Sequence, residues 1–256
     1  MLDWPTAVLV GVFGLSVGSF LNVCIHRLPL DESVVWPGSY CPTCRTPLRW
    51  HDNVPVVGYA MLRGRCRSCG TPISAMYPIV EGVTAAVFVA GYLLFGVQPL
   101  LVARLLFACA MIVLFIIDLQ HRILPNVITL PGVLIGFAFS WFWPPGWLDS
   151  LIGILAGGGI LLLIAEAYYR VRKEEGLGLG DVKMLAMIGA FLGWKLMLVT
   201  LVLSSFMGSI IGLVVIALKK GDMKYALPFG TFLAIGALIS SVAGDAILGW
   251  YLGFYS

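Results

Sequence analysis

The stretch LVARLLFACAMIVLFIIDL, residues 101–119, decides what kind of protein this chain is. Apart from Arg104 near one end and Asp118 near the other, it is uncharged and strongly apolar. As a helix it matches a hydrocarbon core about 30 Å thick, which takes roughly 20 residues to cross. Working outward, comparable stretches run over 5–24, 82–97, 125–143, 150–169, 182–194, 196–218 and 229–250. The 182–194 piece is short, and Lys195 interrupts its join to the next. Short or broken helices are tolerated where they pack inside protein or line a cavity. The first stretch lacks the basic leader of a cleaved signal, its first charge being Asp3. Composition agrees. Of 256 residues 60% are hydrophobic and only 11% charged, with a mean hydropathy of +0.97, whereas soluble domains run at about 25% charged. Such a chain cannot cover a soluble surface, is too apolar for disorder, and with six cysteines is too sparse for a disulfide scaffold. The expected fold is an all-α polytopic membrane protein of about eight transmembrane helices.

Charge placement orients these spans. With the amino terminus outside, the inner loops are 26–81, 120–124, 170–183 and 219–228. They hold every lysine and arginine except Arg104 and Lys195, as the positive-inside rule requires. The net charge of +3 therefore says nothing for nucleic acid. The positive loops would meet anionic lipid or an acidic partner.

The loop from 26 to 81 is the one segment outside the spans large enough to be a domain. It carries Cys41-Pro42-Thr43-Cys44 and Cys66-Arg67-Ser68-Cys69. Two CxxC pairs at this separation offer four thiolates to one ion, the pattern of a structural zinc site. Iron also takes four thiolates, and a redox pair is the other use of CxxC. A cytoplasmic location disfavours stable disulfides. A segment this short gains its folding energy from the metal. The domain reading is a first helix over 1–25, a cytoplasmic zinc-binding domain over 26–81, and a seven-helix membrane core over 82–256. Cys24 and Cys109 lie in apolar runs and read as packed side chains.

Asp118 ends the third span, and Asp181 lies in Gly178-Leu179-Gly180-Asp181-Val182-Lys183, where an inner loop enters the sixth. Both fall at the inner edge of the bilayer, where a carboxylate is a functional candidate by default. Two carboxylates at one depth can share a proton, one activating water while the other protonates a leaving group. Against this stands a boundary role, with Asp118 pairing Arg122 four residues on. His121, Glu166 and Asp245 read as interfacial or pair-forming groups, and Asp222 as a solvated loop charge. Glu81 reads as a packing or capping group, or as part of a substrate path.

Together these residues resemble the prepilin peptidases, also called type IV leader peptidases, which are intramembrane aspartyl proteases of the Gly-x-Gly-Asp type. The resemblance covers nearly the whole chain. It begins at Gly18-Ser19-Phe20-Leu21-Asn22-Val23 and His26-Arg27-Leu28-Pro29. It runs through both cysteine pairs, Trp50, Asn53 and Tyr77-Pro78-Ile79-Val80-Glu81. It continues with Asp118, Ile123-Leu124-Pro125-Asn126 and Gly178-Leu179-Gly180-Asp181-Val182-Lys183, and ends at Pro228-Phe229-Gly230. Thr231 stands where proline is common, a departure expected to be without consequence.

The resemblance implies two activities. Asp118 and Asp181 would be the catalytic pair that removes the basic leader of type IV prepilins and pseudopilins, after a glycine on the cytoplasmic side of the bacterial inner membrane. The exposed α-amine would then be methylated with S-adenosylmethionine, an activity implied for members that keep the cysteine domain. No glycine-rich nucleotide-binding motif marks a methyl-donor site. A transporter would also suit the topology. However, the acids lie at one face rather than at the midplane, and the two halves show no repeat with matched charges. A non-catalytic zinc-anchored scaffold would keep the cysteines and tolerate loss of either aspartate.

Overall fold

The computed structural model describes residues 3–173, 178–218 and 228–254. Lys219, Lys220, Asp222 and Lys224 of the last inner loop, with Gly176 and Leu177, lie outside these residues. The described chain folds as α1 (Trp4–Arg27), α2 (Val57–Met61), α3 (Met76–Phe95), α4 (Pro99–His121), α5 (Asn126–Phe139), α6 (Trp147–Arg172), α7 (Leu179–Leu218) and α8 (Phe229–Leu252). Short 3-10 turns lie at Leu28–Leu30 and Trp50–Asn53. The only strand pairing among the described residues is two isolated bridges. By length and composition, six helices among the described residues can cross a membrane, namely α1, α3, α4, α6, α7 and α8, while α5 is shorter. Large apolar side chains such as Leu9, Leu163, Val202 and Leu213 are exposed along them, as lipid-facing helices require. The chain is a multi-span, all-α membrane protein. It divides into two compact units, one ending at Val113 and the other beginning at Leu114, so the division falls within α4.

In the first unit α1 packs on α3 through small residues. A side chain on Gly18 would start 2.7 Å from the Glu81 backbone, and one on Gly14 would start 2.8 Å from that of Ala85. Close backbone approach of this kind joins helices in lipid, where burying apolar surface gives no advantage. The chain becomes helical at Met76, earlier than the apolar run at 82 suggests, so Tyr77 and Glu81 belong to α3. Pro78 does not oppose this, because the amides of a first turn have no helical partner to lose.

In the second unit α6 meets α7 backbone to backbone at Gly153 and Gly189, with Gly157 against the Leu185 carbonyl. Further along, α7 meets α8: Leu196 lies on Gly244, Ser204 on Gly236, and Gly208 on the Phe232 ring. Leu124 touches both Gly180, near the start of α7, and Gly230, at the start of α8. The first part of α7 therefore leaves the end of the unit where α8 begins, and the second part returns to it. The reversal falls at Gly193, whose φ of 77° and ψ of 171° break the helix. That conformation is open to glycine without the penalty a Cβ brings. The Trp194 indole N–H donates to Asp149 Oδ1 at 3.1 Å and fixes the bend against the start of α6. The sequence placed this break at Lys195; the glycine two residues earlier is where the backbone turns.

Candidate functional site

The reversal of α7 brings the starts of α7 and α8 to one end of the second unit, beside the end of α4. Asp118 is buried there, at 5% exposure. Its Oδ2 accepts two hydrogen bonds from one residue, the Thr231 amide at 2.6 Å and the Thr231 hydroxyl at 2.9 Å. Gly230 is what allows this approach. A Cβ on it would lie 3.0 Å from that same oxygen and 2.9 Å from Leu124. Gly180 permits the matching approach on the other side, since its Cβ would meet Leu124 at 3.0 Å. Asp181, half-buried in the first turn of α7, is close enough to Asp118 for the two charges to interact. Nearby, the Lys183 ammonium donates to Asn126 Oδ1 at 2.8 Å, linking the first turns of α7 and α5.

The two carboxylates thus converge, and their surroundings differ. One Asp118 oxygen is engaged by two donors, which fixes the orientation of its carboxyl group. Such a pair can hold one proton between them and serve as base and acid toward a single water. The pairing of Asp118 with Arg122 stands beside it: Arg122 turns to a φ of 57° just past the end of α4, keeps its amide on the Asp118 carbonyl at 2.8 Å, and its charge also acts on the Asp118 carboxyl. Of the other acids, Glu166 pairs with Arg170 at 2.7 Å on the exposed face of α6, while His121 and Asp245 are exposed.

In the first unit the four cysteines form one cluster. All four Sγ atoms lie within 4.8 Å of one another. Two of the separations, Cys41–Cys69 and Cys44–Cys66, are 3.9 Å, close to the roughly 3.8 Å edge of a tetrahedron of zinc–sulfur bonds. The residues present therefore suit a four-thiolate metal ion. The two pairs are built alike. In each, the first cysteine's amide bonds the threonine carbonyl five residues on, at 3.0 Å from Cys41 and 2.8 Å from Cys66. In each, the residue after the second cysteine turns to positive φ, Arg45 at 55° and Gly70 at 71°. The hydroxyl and amide of Thr71 hold the Cys69 thiol down to about 6, and those of Thr46 lower that of Cys44. These donors favour the thiolate form that a metal needs. Arg67 closes the module from outside: its Nε lies 3.1 Å from Asp52 Oδ2, and its hydrogen bonds hold the Asp52 carboxyl below the usual range.

Two features were not drawn from the sequence. The cysteine pairs are a repeat, Cys-x-x-Cys-x-Thr-Pro at 41–47 and 66–72, and the shared threonine was a readable sign of a ligand-supporting role. Thr231, expected to be neutral, makes both hydrogen bonds to Asp118. Only the substitution of a donor for a residue without an amide hydrogen could have signalled it.

Residues 105–213 match the Type IV leader peptidase family, and residues 12–95 match the Bacterial Peptidase A24 N-terminal domain. A prepilin leader peptidase/N-methyltransferase of Aeromonas hydrophila is 37% identical over 98% of this chain and 95% of its own length. The chain belongs to the type IV leader peptidase family. Proteins of the same name from Legionella pneumophila and Pseudomonas aeruginosa are 34% and 35% identical, over 98% and 95% of this chain and 96% and 92% of theirs. No solved structure matches. Membership makes the chain an enzyme of this general kind.

Proposed function

We propose that this enzyme cleaves the basic leader from type IV prepilins and pseudopilins, after a glycine on the cytoplasmic side, and then methylates the new amino terminus. The observation that carries the peptidase reading is the convergence of Asp118 and Asp181 at one end of the second unit. In this reading one carboxylate takes a proton from water as its oxygen attacks the scissile carbonyl carbon. The other gives a proton to the amide nitrogen as the carbon–nitrogen bond breaks, and the pair titrates as a unit. Gly180 and Gly230 let Leu124 and Asp118 pack close against the starts of α7 and α8, which holds the pair in place.

In the same reading the chain crosses the bacterial inner membrane eight times, with its amino terminus outside. The two arms of α7 are separate crossings, and α5 is a short one. From Leu179 to Gly193 the first arm spans about 22 Å, which suits a helix enclosed by protein. The leader's basic residues stay in the cytoplasm or at headgroups, and the precursor's apolar helix lies in lipid beside the core at 82–256. The domain over 26–81 binds zinc through Cys41, Cys44, Cys66 and Cys69. S-adenosylmethionine, when bound, supplies an electrophilic methyl group. Partners are the precursor and membrane lipid, with no role for nucleic acid.

The test is cleavage of a precursor peptide by purified enzyme. Asp118→Asn and Asp181→Asn should each abolish cleavage while expression and bound metal stay normal. A variant that still cleaves at the wild-type rate excludes that aspartate from the chemistry.

A further inference from the structure

The aspartate pair accounts for peptide cleavage and leaves a second set of residues unexplained. Ser19, Asn22, His26 and Arg27 lie at helical spacing along one face of an otherwise apolar α1. Tyr77 and Glu81 lie one turn apart on α3. All six line a single cavity of about 450 Å³ within the first unit, roofed by the cysteine module. Cavities of roughly 300–1,000 Å³ hold small organic ligands.

Its walls are fixed by bonds that do not use up its polar groups. The Asn22 amide donates to the Tyr77 carbonyl at 3.0 Å. The buried Arg27 guanidinium donates to the carbonyls of Ser33 and Gly38 at 2.9 and 3.0 Å, holding one rim. Glu81 is 7% exposed. It accepts the Val56 amide at 2.7 Å and the Ser19 hydroxyl, and no ion pair to it forms among the described residues. Val56 is itself strained, a β-branched residue at a φ of 59°. Strain of this kind persists where the surroundings over-determine it, commonly at ligand sites. A buried carboxylate without an ion pair among the described residues, in a cavity also walled by Tyr40 and Tyr59 and by the basic residues Arg27, Arg49 and Arg67, suits a ligand that is cationic at one place, aromatic at another and anionic at a third.

We propose that this cavity is the S-adenosylmethionine site, with Glu81 facing the sulfonium. The assignment rests on the methyltransferase reading above. In the transfer the neutral α-amine attacks the methyl carbon. The carbon–nitrogen bond forms as the carbon–sulfur bond breaks, the sulfur keeps the electron pair as a neutral thioether, and the positive charge passes to nitrogen. A free α-amine has a pKa of about 7.7–8.0, so a usable fraction is neutral near pH 7 and no general base is required. Glu81 stabilises the cation, while Asn22 and His26 supply polar contacts to the rest of the ligand.

The experiment uses the full-length enzyme in detergent. Equilibrium dialysis with labelled S-adenosylmethionine should show Glu81→Gln binding about tenfold more weakly, as expected for losing one buried charge partner. The same variant should bind S-adenosylhomocysteine, whose sulfur is a neutral thioether, nearly as wild type does, with bound metal and helicity as controls for folding. In the wild type, a photoactivatable S-adenosylmethionine analogue should label peptides within 19–81. Unchanged S-adenosylmethionine binding by Glu81→Gln, or labelling confined to 114–254, overturns the site. If cleaved precursor is still methylated in that case, the activity stands and only its location is wrong. No methylation and no binding by the wild type overturns the methyltransferase reading as well.

Discussion

The thiolate cluster and the carboxylate pair are assembled over very different distances. The cluster closes within a span where its end ligands are 28 residues apart, and threonines two residues from Cys44 and Cys69 support those thiols. Asp118 is held by Thr231, 113 residues further along, and this contact exists only because α7 reverses at Gly193. The cluster is thus a local structure, sensitive to its ligands. The pair is a product of the whole second unit, sensitive to how its helices pack.

Substitutions can break or sharpen that contrast. The largest effect falls on the cluster. Cys41→Ser with Cys66→Ser should reduce bound metal from one equivalent to almost none and expose the module to limited proteolysis. Structural zinc binding contributes on the order of 10–16 kcal/mol to such modules. Metal content that survives the double change would dissolve the four-thiolate assignment. Next, Gly189→Leu should disturb the second unit, because Gly153 backbone occupies the space. Overpacking costs about 1–3 kcal/mol or more. Thermal unfolding in detergent should begin earlier, with bound metal unchanged; metal loss in parallel would show the two regions are not independent. Thr231→Val removes one of two donors to Asp118 and should lower kcat for cleavage roughly ten- to a hundredfold, the worth of a hydrogen bond to a charged group. Thr231→Ser should restore it, while equal KM values in all three forms would separate positioning from binding. The smallest effect is on pH. Metal requires all four thiolates; Cys41 lies above its ordinary value while Cys69 is held near 6 by Thr71, so affinity should fall progressively with acidification and most steeply once Cys69 itself protonates. Thr71→Val removes the hydroxyl, lets the thiol rise toward its ordinary value, and should move metal release to a higher pH. A release curve that stays in place would show that the hydroxyl does not support the thiolate.

The same contrast governs what could be read from residue order. The apolar helices, the clustering of the four cysteines and the position of both aspartates were legible because each is marked locally, by an apolar run, by CxxC spacing, or by a carboxylate where apolar sequence ends. The helix boundary at Met76 was hidden, because Tyr77 and Glu81 look like loop residues until α3 packs on α1 at Gly18. The bend at Gly193 was displaced to Lys195, since charge is more visible in a hydropathy reading than backbone conformation. Thr231 and the polar face of α1 acquire meaning only from contacts distant in sequence. Asn22 finds the Tyr77 carbonyl 55 residues away, and no periodicity announces such a partner.

The central claim is that Asp118 and Asp181 act as one unit, and a double-mutant cycle on precursor cleavage tests it most directly. Rates are measured for the wild type, Asp118→Asn, Asp181→Asn and the double variant. For groups that act together, the double variant should lose no more activity than either single one. Losses that multiply, or substantial cleavage by either single variant, would contradict a shared catalytic pair.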